Sequence, residues 1–283
     1  MTKYLIMFLL LLASELITAQ IISGKVIDSQ TKKALPYVNI GILHKNIGTV
    51  SDINGGFKLE TSKALPSDTL KMSCIGYTPL IFPLKSSFEN ANLENQTFEL
   101  DFKSGELSEV IIRPGNSKTK ILGNKIQNSM IVFGVSSYEL GAEVGTVLSY
   151  NKKNVAQLRN VNFYITKNEF DTLVFRVNLY EFKNGLPGES ILKEPIYIKT
   201  TIKKGVLSLE LSDYQIYIKG NSFISLEWIS DSNDFSGAEK GFSKLHFSAG
   251  FINNESYGRM TSQGDWKKLQ VGLGFWTTVT YKK

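Results

Sequence analysis

Residues 47–60 read IGTVSDINGGFKLE, and this stretch decides the fold class. Two short β-formers, Ile47–Val50 and Phe57–Leu59, flank a turn over Ser51–Gly56. Asn54-Gly55-Gly56 accepts positive φ without steric cost, so the stretch predicts a hairpin. Reading outward, the same period of two recurs. Ile22–Asp28 is a strand, the polar turn SQTKKALP follows, and Tyr37–Ile42 is the next strand. Thr69–Ser73 and Thr97–Asp101 extend the pattern. No long stretch carries a helical stripe, and no repeat recurs at a fixed period, which argues against solenoids and propellers. The expected class is all-β.

The polar, turn-rich segment PGNSKTKILGNK (114–125) marks a boundary, so 104–125 is expected to be a linker. Beyond it, strands are predicted at Ser129–Val135, Glu143–Tyr150, Leu158–Thr166, Thr172–Phe182, Pro195–Ile202, Gly205–Leu211, Tyr214–Lys219, Ser222–Ile229, Leu245–Phe251 and Gln270–Tyr281. That density suits a two-sheet sandwich or jelly roll over 126–283. In Leu173–Leu179, apolar residues alternate so that one face points inward.

The first half carries a family resemblance. The series SGKVID, TKKALPYVNI, IGTVSDINGGFKLE and LPSDTLKMSCIGYTPL resembles the carboxypeptidase-like regulatory domain of Bacteroidetes envelope proteins. The matching positions are Gly24, Val26, Pro36, Val38, Ile40, Gly48, Thr49, Asp52, Asn54, Gly55, Phe57, Leu70, Ser73, Ile75, Gly76 and Tyr77, with Ser51 in place of the usual Thr. The resemblance implies a transthyretin-like, seven-stranded sandwich over 20–103. It implies no peptidase site. A zinc carboxypeptidase needs two His and a Glu as ligands plus a Glu base, and no H-x-x-E follows His44 or His246. ELSEVIIRP (Glu106–Pro114) looks like the segment that follows the domain in TonB-dependent receptors; the plainer reading is a last strand running into the linker. The remaining chain is too short for a receptor barrel of about twenty strands. The second half is similar, by pattern alone, to galactose-binding-like jelly rolls, in the order GTVLSY, VAQLRNVNFYI, DTLVFRVNLYEF, GVLSLELSDYQIYIKG and NSFISLEWI.

At the N-terminus, Lys3 precedes an unbroken apolar run, Tyr4–Ala13, and a polar stretch ending at Ala19. This is the build of a secretory signal peptide over 1–19, too short to span a bilayer as a helix. The expected location is outside the cytoplasm: periplasm, outer membrane or cell surface. No later apolar run is long enough for a membrane helix. The net charge of +6 is scattered in isolated lysine pairs, so nucleic acid is not an expected partner.

A single Cys excludes an internal disulfide, and with only two His there is little for a metal or triad site. Motifs of serine hydrolases and phosphate loops are absent. Cys74 lies between apolar neighbours and is expected to be buried and inert; His44 and His246 are expected at the surface, without partners. Asp231, Asn233 and Asp234 cluster oxygens and are candidate ligands for a structural calcium, whereas Asp52–Asn54 lacks the closing acid of a calcium loop. Trp266, in a polar turn, with Tyr257 and Arg259 just before it, is a candidate sugar-stacking group; the rival reading is a Trp that plugs the end of the sandwich. Trp228 and Trp276 fall inside strands and are expected in the core.

Together these features point to an exported, non-catalytic binding or scaffolding protein. One version binds an envelope or extracellular polysaccharide through the second sandwich. A second is a protein–protein component of an envelope assembly. A third is an all-β hydrolase, which would need a deep cleft holding two carboxylates about 5–10 Å apart.

Overall fold

The computed structural model describes residues 21–85, 94–103, 116–135, 140–151, 153–231, 244–251 and 255–282. The expected signal peptide (1–19) and Glu106–Pro114 lie outside them. The N-terminal part is a sandwich of a three-stranded and a four-stranded sheet. In the first, β1 (Ile21–Asp28) pairs antiparallel with β4 (Gly56–Glu60) and parallel with β7 (Gln96–Leu100). In the second, the order is β3 (Gly48–Val50), β2 (Asn39–Ile42), β5 (Thr69–Ser73), β6 (Leu80–Pro83). Seven strands in two sheets is the expected architecture. Ile22, Val26, Ile40, Leu70, Met72 and Phe98 fill the core between them.

The 47–60 stretch folds differently from a simple hairpin. Asp52 Oδ1 accepts the N–H groups of Asn54 (2.7 Å) and Gly56 (2.9 Å), and Gly55 takes φ of 77°. The turn forms as read, but β3 pairs with β2 and β4 with β1, so it is a corner between sheets. The turn thus commits Asp52 Oδ1 to its own backbone. Other polar motif positions act as staples. Ser51 Oγ accepts Val38 N–H (2.8 Å) and donates to Leu35 C=O (3.1 Å). Asp28 accepts Thr31 N–H (2.6 Å) and Tyr77 O–H (3.0 Å). The Thr31 N–H foremost holds the Asp28 carboxyl below its usual range, while burial and Asp28 push the Tyr77 phenol up to about 12.

The second part is a larger sandwich of a seven-stranded and an eight-stranded sheet. The first holds β13 (Leu186–Ser190), β12 (Leu173–Lys183), β17 (Ser222–Asp231), β10 (Glu143–Leu148), β19 (Ser256–Arg259) and β20 (Lys267–Lys268), with β14 (Ile196–Thr200) also on β12. The other is built on β11 (Ala156–Asn168), flanked by β18 (Leu245–Gly250) and β22 (Phe275–Lys282). Phe163, Phe175, Trp228, Phe247 and Phe275 pack between the sheets, where the rings of Phe163 and Phe275 meet edge-on at 4.7 Å. Trp228 and Trp276 are buried, as expected.

The expected linker to residue 125 is corrected in part. Residues Ser117–Gly123 form β8, an edge strand along β22. Only Leu122 on it is buried, and Lys118 and Lys120 face solvent, so no alternating core face advertised the strand. Charged side chains of this kind guard an edge against pairing with other chains. Among the described residues, no helix is long and apolar enough to cross a membrane.

Candidate functional site

The chemistry collects where the two sandwiches meet. In β12 the sequence FRVNLY puts Phe175, Val177 and Leu179 into the core and Arg176, Asn178 and Tyr180 on the opposite face. The alternation alone says nothing of what covers that second face. Arg176 and Asn178 are buried, because the outer face of the four-stranded sheet packs over them.

Strand register makes the site. Arg176 lies opposite Glu227, Glu227 opposite Glu143, and Glu143 opposite Arg259. One cross-strand row therefore reads Arg, Glu, Glu, Arg over β12, β17, β10 and β19. The next row holds Asn178, Ser225, Gly145 and Tyr257. Gly145 is required there, since a Cβ would lie 2.2 Å from Ile224 O and 2.6 Å from the Phe223 ring. Phe223 in turn supports Tyr257, Phe182 and Trp266 in an aromatic cluster.

Glu143 is fully buried and takes donors from every side. It accepts from Ser225 Oγ (2.5 Å), Asn178 Nδ2 (2.9 Å), Tyr180 O–H (3.0 Å), and Arg259 Nε (2.9 Å) and Nη2 (2.5 Å). Glu227, equally buried, accepts Asn178 Nδ2 (2.9 Å) and faces Arg176 Nη1 at 3.7 Å, while its Oε1 has no hydrogen-bond partner. Burial pushes the Glu227 carboxyl up against the pull of Arg176, and Glu143 adds to that push. Burial also lifts the Tyr180 phenol well above its usual range, with Glu143 adding to it, so it stays a donor. Burial opposes the charge on Arg259, but Glu143 outweighs it and the guanidinium is held protonated.

The same residues join the two sandwiches. Arg176 Nη2 donates to Tyr37 C=O across the boundary, and the Tyr37 and Tyr197 rings lie 5.2 Å apart. The loop after β19 seats on the β2–β3 turn. Gln263 Nε2 donates to Ser73 Oγ (2.9 Å), His44 N–H to Gln263 C=O (3.0 Å), and Thr261 Oγ1 to Lys45 C=O (3.3 Å). Gly48 permits this approach, because a Cβ there would lie 2.8 Å from Thr261 Cβ.

Beside this seat opens a cleft of about 770 Å³. Its floor is Arg176, Asn178, Tyr180 and Arg259; Lys71 and Ser73 of β5 form one side, and Tyr77 and Phe102 stand along the wall. The two glutamates do not line it. They share one Asn178 nitrogen, which makes them near enough for a retaining glycosidase pair, about 5–5.5 Å. Both are wholly covered and face arginines, so they have no access to a substrate.

Residues 22–112 match the family model described as the CarboxypepD_reg-like domain. The N-terminal sandwich is a CarboxypepD_reg-like domain. Its family is non-catalytic, and its β5 and β2–β3 turn supply half of the cleft boundary and seat. No curated protein matches the chain. Among solved structures, the cysteine protease and lectin-like domains of Cwp84, a surface layer associated protein of Clostridium difficile, align with a TM-score of 0.39 at 10% identity, covering 94% of this chain and 59% of that one. An infectious bursal disease virus structure (Gx strain) aligns with a TM-score of 0.30 at 8% identity, covering 93% and 63%. This chain thus spans less than two thirds of either, and at such scores neither likeness bears on function.

The three aromatic-site candidates do come together, in a different role. Tyr257 is 7% exposed and packs on Phe223, so it offers no ring face to a sugar. Trp266 is half-buried: Phe223 and Tyr180 meet it edge-on, and the Arg259 guanidinium lies 4.4 Å from its ring centroid. Arg259 itself is bound to Glu143. The ring therefore packs on the outer face of the seven-stranded sheet, and not in the open end of the sandwich where the plug reading had it. Of the calcium candidates, Asp231 is described only as the last residue of β17, and Asn233 and Asp234 lie outside the described residues. His44 is exposed as expected, but it has a partner, Asp265, at 2.7 Å. Cys74 is half-buried on the cleft wall, short of the full burial expected, and burial pushes its thiol up.

No motif marks Glu143, Glu227 and Arg176 as a set. The available signal was faint: in FRVNLY and SLEW, the positions facing away from the core carry hydrogen-bonding residues of kinds that tolerate burial only when paired.

Proposed function

We propose that the chain is an exported, non-catalytic binding protein of the cell envelope, which takes its ligand in the cleft between the two sandwiches. The observation that carries this reading is the cleft floor. Arg176, Asn178, Tyr180 and Arg259 are immobilised from behind by buried carboxylates, which is how a protein pre-pays the ordering cost of binding. Support for a non-catalytic role comes from the same place: the carboxylates that could do acid–base work are sealed off by the groups that face the ligand. Export rests on the Tyr4–Ala13 run.

Binding through a sheet edge is less well supported, because the edge strand β8 carries Lys118 and Lys120. The test is tryptophan fluorescence of the purified protein across a polysaccharide panel, with and without calcium. Trp266 lies against Arg259, so cleft occupancy is expected to change its emission saturably. Ser190→Trp, at an exposed position of the cleft lining, is expected to abolish the response. A flat response across the panel in folded protein would remove this reading.

A further inference from the structure

The cleft has a sign. Among the described residues its charged lining is Lys71, Lys103, Arg176, Lys193 and Arg259, against one acid, Glu189. The two arginines are answered by Glu143 and Glu227, but the lysine nearest the floor is not. Lys71 is half-buried, and among the described residues no ion pair or hydrogen bond holds it. Burial pushes its ammonium down, and the Arg259 charge adds to that. A strand position between Leu70 and Met72, facing a covered cleft, is a costly place for an unanswered cation.

A second observation is independent of charge counting. Arg176 is 2% exposed, and its Nε has no acceptor although both Nη atoms are engaged. Ser262 Oγ, also on the cleft lining and 5% exposed, has none either. Buried donors are rarely left unsatisfied, and a cluster of them beside an unpaired cation marks a place built to receive acceptor oxygens.

We propose that the cleft binds an acidic polysaccharide, with an anionic group of one sugar seated between Lys71 and the Arg176 guanidinium. This deepens the binding reading above and rests on it. The remaining lining favours a sugar. Ser190 is exposed on the lining, and the Ser73 hydroxyl, which accepts from Gln263, keeps its own proton for a ring hydroxyl group, while Phe102, 57% exposed, and Tyr77 form an aromatic wall for C–H faces. The glutamates behind the arginines fix the position of the fork and keep the floor from collapsing onto its own charges.

The experiment is calorimetric titration of the full chain with oligogalacturonate and its methyl ester, with dextran sulfate and dextran, and with oligoglutamate. At least one acidic glycan is expected to bind, more than tenfold tighter than its neutral partner and more weakly as salt rises. Which of the two binds tells carboxylate from sulfate. Lys71→Met is expected to weaken that binding about tenfold, without lowering thermal stability, since the lost cation had no partner. Equal binding of acidic and neutral partners, or indifference to Lys71→Met, overturns the proposal. If such binding is still abolished by Ser190→Trp, the cleft reading survives it. Oligoglutamate binding as tightly as the glycans would refute the sugar assignment. Binding to none of the probes would overturn it as well.

Discussion

Glu143 and Glu227 face each other on adjacent strands, have the same chemistry and are equally buried, yet the protein treats them differently. Glu143 receives five donor contacts, two of them from the Arg259 guanidinium onto Oε2. Glu227 receives one amide and an arginine at 3.7 Å, and keeps an oxygen without a partner. The first pair lies inside the second domain and finishes its sheet. The second pair shares its arginine with Tyr37 of the CarboxypepD_reg-like domain, so its geometry is a compromise between two bodies. An ion pair that must also hold a neighbour is less completely satisfied than one that serves its own sheet.

The largest effect should come from breaking the well-made pair. Arg259→Met strands the Glu143 charge and is expected to cost about 3–5 kcal/mol in urea unfolding. A cost near zero would mean that Glu143 is held by its neutral donors alone. Gly48→Val disturbs the seat and not the pairs. With Thr261 Cβ 2.8 Å from the new Cβ, about 1–3 kcal/mol of strain is expected, read as a lower midpoint together with faster proteolysis between the domains.

Glu227→Gln is expected to cost less, about 1 kcal/mol at neutral pH, and its effect should depend on pH in a defined sense. The folded carboxyl is raised above its unfolded value of 4.5. Its contribution is therefore fully present below that value and lost as pH rises through the folded one. Wild type should thus gain on the variant as pH falls toward 4.5 and lose ground as pH rises. The opposite slope would show that the Arg176 charge outweighs burial at Glu227. Smallest of all, His44→Ala removes an ion pair whose side chains are 79% and 62% exposed, and less than about 0.5 kcal/mol is expected.

How far the sequence went follows from the same distinction. Strands with an apolar residue at every second position announce themselves by alternation, whatever covers their other face; Thr69–Ser73, Leu173–Lys183 and Ser222–Asp231 were legible for that reason, although the second face of the last two is a buried polar row and not a wet one. β8 was not, because an edge strand with one buried residue has no inner face to display. The 47–60 turn was legible as a turn but not as a corner, since residues 51–56 fix local geometry and leave the choice of partner strand to distant segments. The ionic row depends on the registers of four strands, spanning Glu143 to Arg259, and no local pattern encodes that. Trp266, Tyr257 and Arg259 were correctly placed near one another, but their roles depended on Glu143 and Phe223, which only the folded sheet brings beneath them.

The position of β22 has a consequence for the history of the molecule. This strand pairs with β11 on one side and β8 on the other, and Trp276 to Tyr281 lie in those ladders. The eight-stranded sheet therefore stays split until residues near 280 have left the ribosome, whereas every described strand of the CarboxypepD_reg-like domain has emerged by Leu100. Synthesis delivers a finished first domain well ahead of a second that lacks its middle. Long-range closure of this kind is slow, so for that interval the chain is a complete first sandwich followed by a sheet whose two halves have not yet met.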